Sequence, residues 1–242
     1  MIYIYQHMGL GDYFMCNGLI RNIIDFSKDY TLFVKSKYLT SVKQMYSDLD
    51  NMNIIEANTI QEIGNILQSI YNMNNDSTIC IGYNMPQFNK PVTTEEWFYF
   101  QHNQNLNNKW DKFKAYRNHD RELKLYSLFN INEEYIFVHD DNETNHPDHR
   151  GPKTIKDEFL PKNIRIVRVN PELTDNIFDY CLLIEKAKEV HCIESCFAYM
   201  TDLLNLNKFY IHEYPEPASK NDGIINSNDR LADWKNMIKK YK

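Results

Sequence analysis

The chain has 242 residues, enough for one large α/β domain or two small ones with a core that needs no metal or disulfide. Hydrophobic residues make up 43% and charged residues 25%, ordinary globular usage that excludes a disordered or fibrous protein. A net charge of −6 argues against broad electrostatic binding to nucleic acid, so no nucleic-acid partner is expected.

The predicted elements alternate. A β-rich run over residues 2–6 is followed at once by Met8-Gly9-Leu10-Gly11-Asp12, and over 13–26 Phe14, Leu19, Ile20, Ile23 and Ile24 recur at helical spacing. Strands are expected at 31–34, 53–56 and 78–83, with helices at 38–49 and 60–71. Such alternation makes a parallel sheet covered on both faces. It puts the glycine turn at the carboxyl edge, where open α/β sheets bind ligands. Residues 93–129 read as helical, rich in aromatics and amides, and carry Arg117 and Arg121. Alternation then restarts, with strands at 135–139, 164–169, 191–193 and 209–212, a polar loop at 140–152, and helices at 177–188 and 195–204. A last amphipathic helix at 230–241 is expected to pack back on the first half. The fold class is α/β: two Rossmann-like halves, 1–125 and 126–228, facing a cleft, then a C-terminal helix within 229–242.

No stretch approaches the ~20 apolar residues of a membrane helix, and the first residues lack the pattern of a signal peptide. Five cysteines, an odd number, sit inside apolar runs as reduced thiols do. A cytoplasmic protein with no transmembrane segment is expected.

Two segments can carry chemistry. In His7-Met8-Gly9-Leu10-Gly11-Asp12, the glycines Gly9 and Gly11 let the backbone approach a ligand, and the following helix offers N–H groups. The third glycine of a dinucleotide fingerprint is missing, because residue 14 is Phe14. Asp12 reads as the N-cap of that helix, and a cap at the mouth of a cleft can also take a proton from a hydroxyl. In the second half, a helix starting at Ser195 presents N–H groups and a positive dipole end to a pyrophosphate. The Ser195 hydroxyl can add a hydrogen bond, and Glu194 can hold a sugar or ribose hydroxyl. Ser195 reads equally as the cap of a core helix. The loop 170–176, with Asn170 and Asn176, is a candidate edge of a base or ribose pocket, and Asn176 reads equally as an ordinary cap.

The first strand, Gly9-Leu10-Gly11-Asp12, and the apolar helix with Asn17-Gly18-Leu19-Ile20-Arg21 resemble the start of metal-independent glycosyltransferases of the two-Rossmann (GT-B) type, especially the heptosyltransferase group. Residues 183–198 resemble the helix–strand–turn–helix that holds the donor's phosphates there. The turn is Glu194-Ser195-Cys196, with Cys196 where glycine is commoner. The resemblance implies a compact GT-B fold with an acceptor-side first domain and a nucleotide-sugar-binding second one. It implies Asp12 as catalytic base, an inverting hexosyl or deoxyhexosyl transfer from a nucleotide-diphosphate sugar to a hydroxyl acceptor such as a glycan, and no metal or other cofactor. His7 is the substitute base, since an imidazole titrates near neutrality. The leaving nucleoside diphosphate then needs cations. Arg150 is the first choice, with Arg168, Arg117 and Lys153 behind it, because an arginine fork binds phosphate at two points. Gly9, Gly11, Asn170, Asn176, Glu194, Ser195 and Cys196 complete the expected donor contacts.

Rival signals remain. Residues 139–149 gather carboxylates and imidazoles at a strand end, so Asp140 and Asp141 support an alternative, a metal-dependent GT-A-like transferase. They lack the Asp-x-Asp spacing. A non-catalytic nucleotide- or glycan-binding module is the third reading. Cys181, His191, Cys192 and Cys196 raise zinc, but their apolar surroundings fit buried thiols better. The run Trp97-Phe98-Tyr99-Phe100-Gln101-His102-Asn103, with Trp110, reads as an acceptor-site border or as interdomain core.

Overall fold

The computed structural model of the protein describes residues 1–71, 77–83, 92–140, 154–204, 206, 208–213 and 238–240. The chain forms two compact units, Met1–Arg117 and Asn118–Lys242.

In the first unit β1 (Ile2–Tyr5), β2 (Tyr30–Val34), β3 (Met52–Glu56) and β4 (Ser77–Cys80) form a parallel sheet in the order β3-β2-β1-β4. β2 is buried along its whole length, as an aromatic and β-branched run inside a parallel sheet must be. Helices α1 (Leu10–Ile23), α2 (Leu39–Met45) and α3 (Ile60–Tyr71) connect the strands. α3 turns Ile63, Ile66 and Leu67 onto Met8, Phe33 and Ala57.

Among the described residues, two further helices belong to this unit, α4 (Thr94–Phe100) and α5 (Asn108–Asp111). A reciprocal cap fixes α4: Glu96 N–H donates to Thr93 Oγ1 at 3.1 Å, and Thr93 N–H donates to Glu96 Oε2 at 2.8 Å. α4 buries Trp97, Phe98 and Tyr99, and the Tyr99 hydroxyl donates to the Met15 carbonyl at 2.9 Å. These aromatics are core of the first unit.

Fully buried Asn17 joins α1 to the chain after α5. Its Nδ2 donates to the Lys114 carbonyl at 3.1 Å and its Oδ1 accepts the Lys114 N–H at 3.0 Å. Arg21 donates to Asn17 Oδ1 at 3.1 Å and to the Met45 carbonyl at 2.6 Å, and forks onto both oxygens of Asp48 at 3.0 and 2.7 Å. That hydrogen-bonded fork holds the Asp48 carboxyl below its ordinary range. The folded value lies below the unfolded one, so this stability is present above pH 3.8 and lost as the pH falls below it. Asp48→Asn should therefore flatten the acid limb of stability against pH, measured by chemical denaturation. An unchanged limb would remove the pair as a cause of acid unfolding.

The second unit opens with α6 (His119–Leu128). Strands β5 (Tyr135–His139), β6 (Arg165–Arg168), β7 (Glu189–Ile193), β8 (Phe209–Glu213) and β9 (Ile238–Lys240) form a parallel sheet in the order β6-β5-β7-β8-β9. α7 (Cys181–Glu185) leads into β7, and α8 (Cys196–Leu203) joins β7 to β8. Ile136, Val138, Ile155, Leu160 and Ile193 pack together in the core.

Several expectations change. α1 begins at Leu10 rather than residue 13, because Gly9 is its N-cap and Asp12 closes the cap from the first turn. β4 stops at Cys80, and Gly82 then takes the left-handed conformation at φ +88°. The single helix expected at 177–188 is a 3-10 turn, Ile177–Tyr180, running into the short α7. Asn176 starts that turn, its side chain accepting the Phe178 N–H at 3.1 Å. Residues 238–240, expected as helix, are a strand that covers the outer edge of β8. The rest of the predicted C-terminal helix lies outside the described residues.

All five cysteines are thiols: Cys16, Cys181 and Cys192 are buried, Cys80 and Cys196 half-buried. Burial pushes the Cys16 and Cys192 thiols up. His191 meets His212 across the β7–β8 pair, Nδ1 to Nε2 at 2.9 Å, and its Nε2 lies 3.3 Å from the Glu189 carboxylate. No helix among the described residues is long and apolar enough to cross a membrane.

Candidate functional site

Each unit brings a group of the predicted residues to the carboxyl edge of its sheet. In the first unit the chain leaves β1 through Gln6 and His7 and enters α1 at Gly9. Asp12, expected as the N-cap, is the third helical residue, and its Oδ2 accepts the Gly9 N–H at 3.0 Å. Gly9 has φ −80° and ψ 147°, which any residue adopts, so flexibility is not its purpose here. Space is: a Cβ at Gly9 would lie 2.7 Å from Asp12 Oδ2 and expel the carboxylate from its cap. Gly11 sits in the first turn of α1.

His7 packs edge-on against Tyr83 at 4.8 Å and Phe98 at 5.3 Å between ring centroids. Tyr83 and its support were missed in the sequence. Gly82 must be glycine, since at φ +88° a Cβ would also lie 2.4 Å from the Phe98 ring and 3.1 Å from His7 Nε2. Gln101 of the α4 C-cap holds both sides of this turn, accepting the Gly82 N–H at 2.9 Å and donating to the Tyr83 carbonyl at 3.4 Å. The turn lays the Tyr83 ring on Tyr5 at 4.6 Å, and burial, with a hydrogen bond to Tyr5 and the nearby Asp12 carboxylate behind it, pushes the phenol up. The only local signal was a glycine just after an apolar strand; that β4 lies beside β1 is long-range information.

In the second unit, Arg168, His139 with Asp140, and Glu194 with Ser195 stand at the carboxyl ends of β6, β5 and β7, three neighbouring strands. Ser195 is the N-cap of α8 in extended conformation, φ −165° and ψ 176°, yet its side chain makes no cap hydrogen bond. Its Oγ lies 3.0 Å from His139 Nδ1, and the His139 ring stacks on Phe197 at 4.2 Å and 24°. Glu194 and Cys196 flank it, both half-buried.

The cations are placed less openly. Arg168 donates to the Asp140 carboxylate, to Asp157 Oδ1 at 2.7 Å and to the Ile155 carbonyl at 3.1 Å. Asp140 also accepts the Ile155 N–H at 2.9 Å, so its carboxylate is occupied by an arginine and a backbone amide. Arg150, Lys153 and Asp141 lie outside the described residues.

Asn170 and Asn176 organise their own loop. Asn170 Oδ1 accepts the Glu172 N–H at 3.0 Å, while buried Asn176 caps the 3-10 turn. Arg121 of α6 anchors the same loop, donating Nε to Asp179 Oδ1 at 3.0 Å and Nη2 to Asp179 Oδ2 at 2.9 Å and to Asp175 at 2.6 Å. The Asp179 side chain is 5% exposed and that of Arg121 40%, so Arg121→Ala strands a buried carboxylate beside a partly solvated site. The expected cost is about 2 kcal/mol, below that of a fully buried pair because solvent screens the arginine. Denaturant titration checks it, and a loss under about 0.5 kcal/mol would contradict the anchor.

No family model matches the chain, and no curated protein matches it. Among solved structures, the crystal structure of a glycosyl transferase family 9 protein from Veillonella parvula DSM 2008 matches with a TM-score of 0.51 at 7% identity, over 98% of this chain and 91% of that one. At that identity the likeness is one of fold. It agrees with the resemblance read from residues 9–21 and 183–198: the chain has an α/β fold of two parallel-sheet units, like a GT-B glycosyltransferase.

Proposed function

We propose that the chain is a glycosyltransferase that moves a sugar from a nucleotide-diphosphate sugar to an acceptor hydroxyl, on a glycan, with inversion and without a metal or other cofactor. The observation that carries the reading is the start of α8. In a chain with the fold of a glycosyl transferase family 9 protein, a serine at a helix N-terminus on the sheet's carboxyl edge keeps its hydroxyl off its own helix. A first turn that its own N-cap side chain does not bond supports a diphosphate, because N–H groups and the helix dipole both favour an anion there.

Glu194 would hold a sugar or ribose hydroxyl. Asp12 would take the acceptor's proton as the acceptor oxygen bonds to the anomeric carbon. The bond from that carbon to the diphosphate oxygen breaks, and its electron pair leaves on the diphosphate. Donors arranged beforehand around that oxygen lower the barrier without reorganising during the reaction. Arg168 is already committed to two carboxylates, so the reading places leaving-group stabilisation first on the α8 turn.

Nucleotide release from UDP-, GDP-, ADP-, CMP- and dTDP-sugars, with oligosaccharide acceptors and with or without EDTA, tests this. Release from one nucleotide family that survives EDTA is expected. Release that disappears in EDTA and returns with manganese would overturn the metal-free reading in favour of the Asp140 loop. No release under any condition would leave a binding module.

A further inference from the structure

The use of Ser195 is unusual for an N-cap. A serine there ordinarily turns its oxygen inward and accepts an N–H from the helix's first turn. Ser195 makes no such bond; its Oγ is 3.0 Å from Nδ1 of His139, the last residue of β5. His139 is itself held, since its ring lies on Phe197, the second residue of α8, at 4.2 Å and 24°. β5 and β7 are hydrogen-bonded neighbours, with His139 opposite Cys192, so strand pairing fixes the distance between imidazole and serine.

Resting on the donor reading above, we propose that His139 is a positioning residue of the diphosphate subsite, acting through Ser195. With the proton on Nδ1, the imidazole donates to Ser195 Oγ. The serine's own proton is then directed away from the imidazole, as a further donor to the diphosphate beside the first-turn N–H groups. His139 does two things at once: it keeps the hydroxyl from capping α8, and it orients that hydroxyl as a donor. It touches the serine rather than the reacting atoms.

The test is calorimetric titration of the full chain in EDTA with UDP, GDP, ADP, CDP and dTDP, followed by the tightest of these against variants. His139→Ala and Ser195→Ala should each weaken binding about tenfold, the loss of one hydrogen bond to an anion. The double variant should bind no more weakly than either single one, because the two residues act as a unit. His139→Asn, whose amide falls where Nδ1 stands, should regain most of the affinity. His139→Gln, whose amide falls near Nε2, should not. That contrast is one a purely structural role would not give, and it holds even if the alanine variant folds poorly. Additive losses, equal binding by the Asn and Gln variants, or wild-type affinity in His139→Ala would overturn the inference while leaving the donor reading standing. Failure of the unaltered chain to bind any of the five would overturn the donor reading, and this inference with it.

Discussion

Replacing Gly18 by alanine should lower the stability of the first unit by about 3 kcal/mol, roughly a 10 °C fall in its melting temperature. On helix propensity alone the change would stabilise α1 by about 1 kcal/mol, so the sign is diagnostic. A Cβ at Gly18 would lie 2.1 Å from the Asn108 carbonyl oxygen and 2.7 Å from that of Lys109. Both are backbone atoms and cannot rotate away. Nor can α5 easily withdraw: Lys109 is paired with Glu95 at 2.8 Å, with both side chains largely buried, and Asn17 clasps the Lys114 backbone just beyond it. Gly64 in α3 supplies the control, since nothing lies within 4 Å of a Cβ there. Gly64→Ala should gain about 0.5–1 kcal/mol, and thermal denaturation of the two variants should move in opposite directions. A Gly18→Ala chain as stable as the unaltered one would show that α1 and α5 do not meet as described.

Asp12→Asn should cut turnover by about 10²–10⁴-fold, measured as nucleotide release, with nucleotide affinity nearly unchanged. Asparagine keeps an oxygen that can accept the Gly9 N–H, now 3.0 Å from Asp12 Oδ2, so the start of α1 survives while the basic group is lost. Asp12→Ala separates the two roles, because it should lose the same activity and about 1 kcal/mol of stability besides. Wild-type turnover in Asp12→Asn would remove Asp12 as the base and pass the role to His7, whose ring is wedged against Tyr83 and Phe98 within the same sheet edge. His7→Gln would then be the variant that loses turnover.

The alternation of strands and helices was legible because its signals are local: period-two apolar runs, 3.6-residue periodicity and the turns between them. Boundaries went astray where a local signal was weak or misleading. The first turn of α1 contains Gly11 and a carboxylate that bonds backward, so the apolar pattern starts three residues late. The pattern at 177–188 is helical in spacing, but Asn176 bonds to Phe178, and the Tyr180 hydroxyl accepts the Asn170 N–H, holding a tighter turn. At 238–240, pairing with β8 prevails over amphipathic periodicity, a tertiary effect no local window contains.

The residues that carried the resemblance divide in the same way. Asn17, Gly18 and Arg21 belong to the segment that resembles the start of a GT-B glycosyltransferase, and in the structure they join α1 to the elements packed on it. Ser195 was legible as a helix start; its bond to His139 was not, because the two are 56 positions apart and only the β5–β7 pairing brings them together. Tyr83 escaped for the same reason, placed by a glycine turn and by Gln101 on a later helix. Arg168 shows the same limit from the other side. A lone arginine at a strand end reads as a phosphate ligand until its carboxylate partners, Asp140 and Asp157, come into view.

The most direct test of the central claim is the melting temperature of the unaltered chain against UDP-, GDP-, ADP-, CMP- and dTDP-sugars in EDTA. A ligand bound only by the native state adds ~2.7 kcal/mol at a hundred times its dissociation constant, roughly 5–10 °C for a chain of this size. A donor subsite built from the α8 turn, Ser195 and Glu194 predicts such a shift with one nucleotide family, undiminished by EDTA. No shift with any of them, or a shift that EDTA abolishes, would contradict a metal-free nucleotide-sugar site.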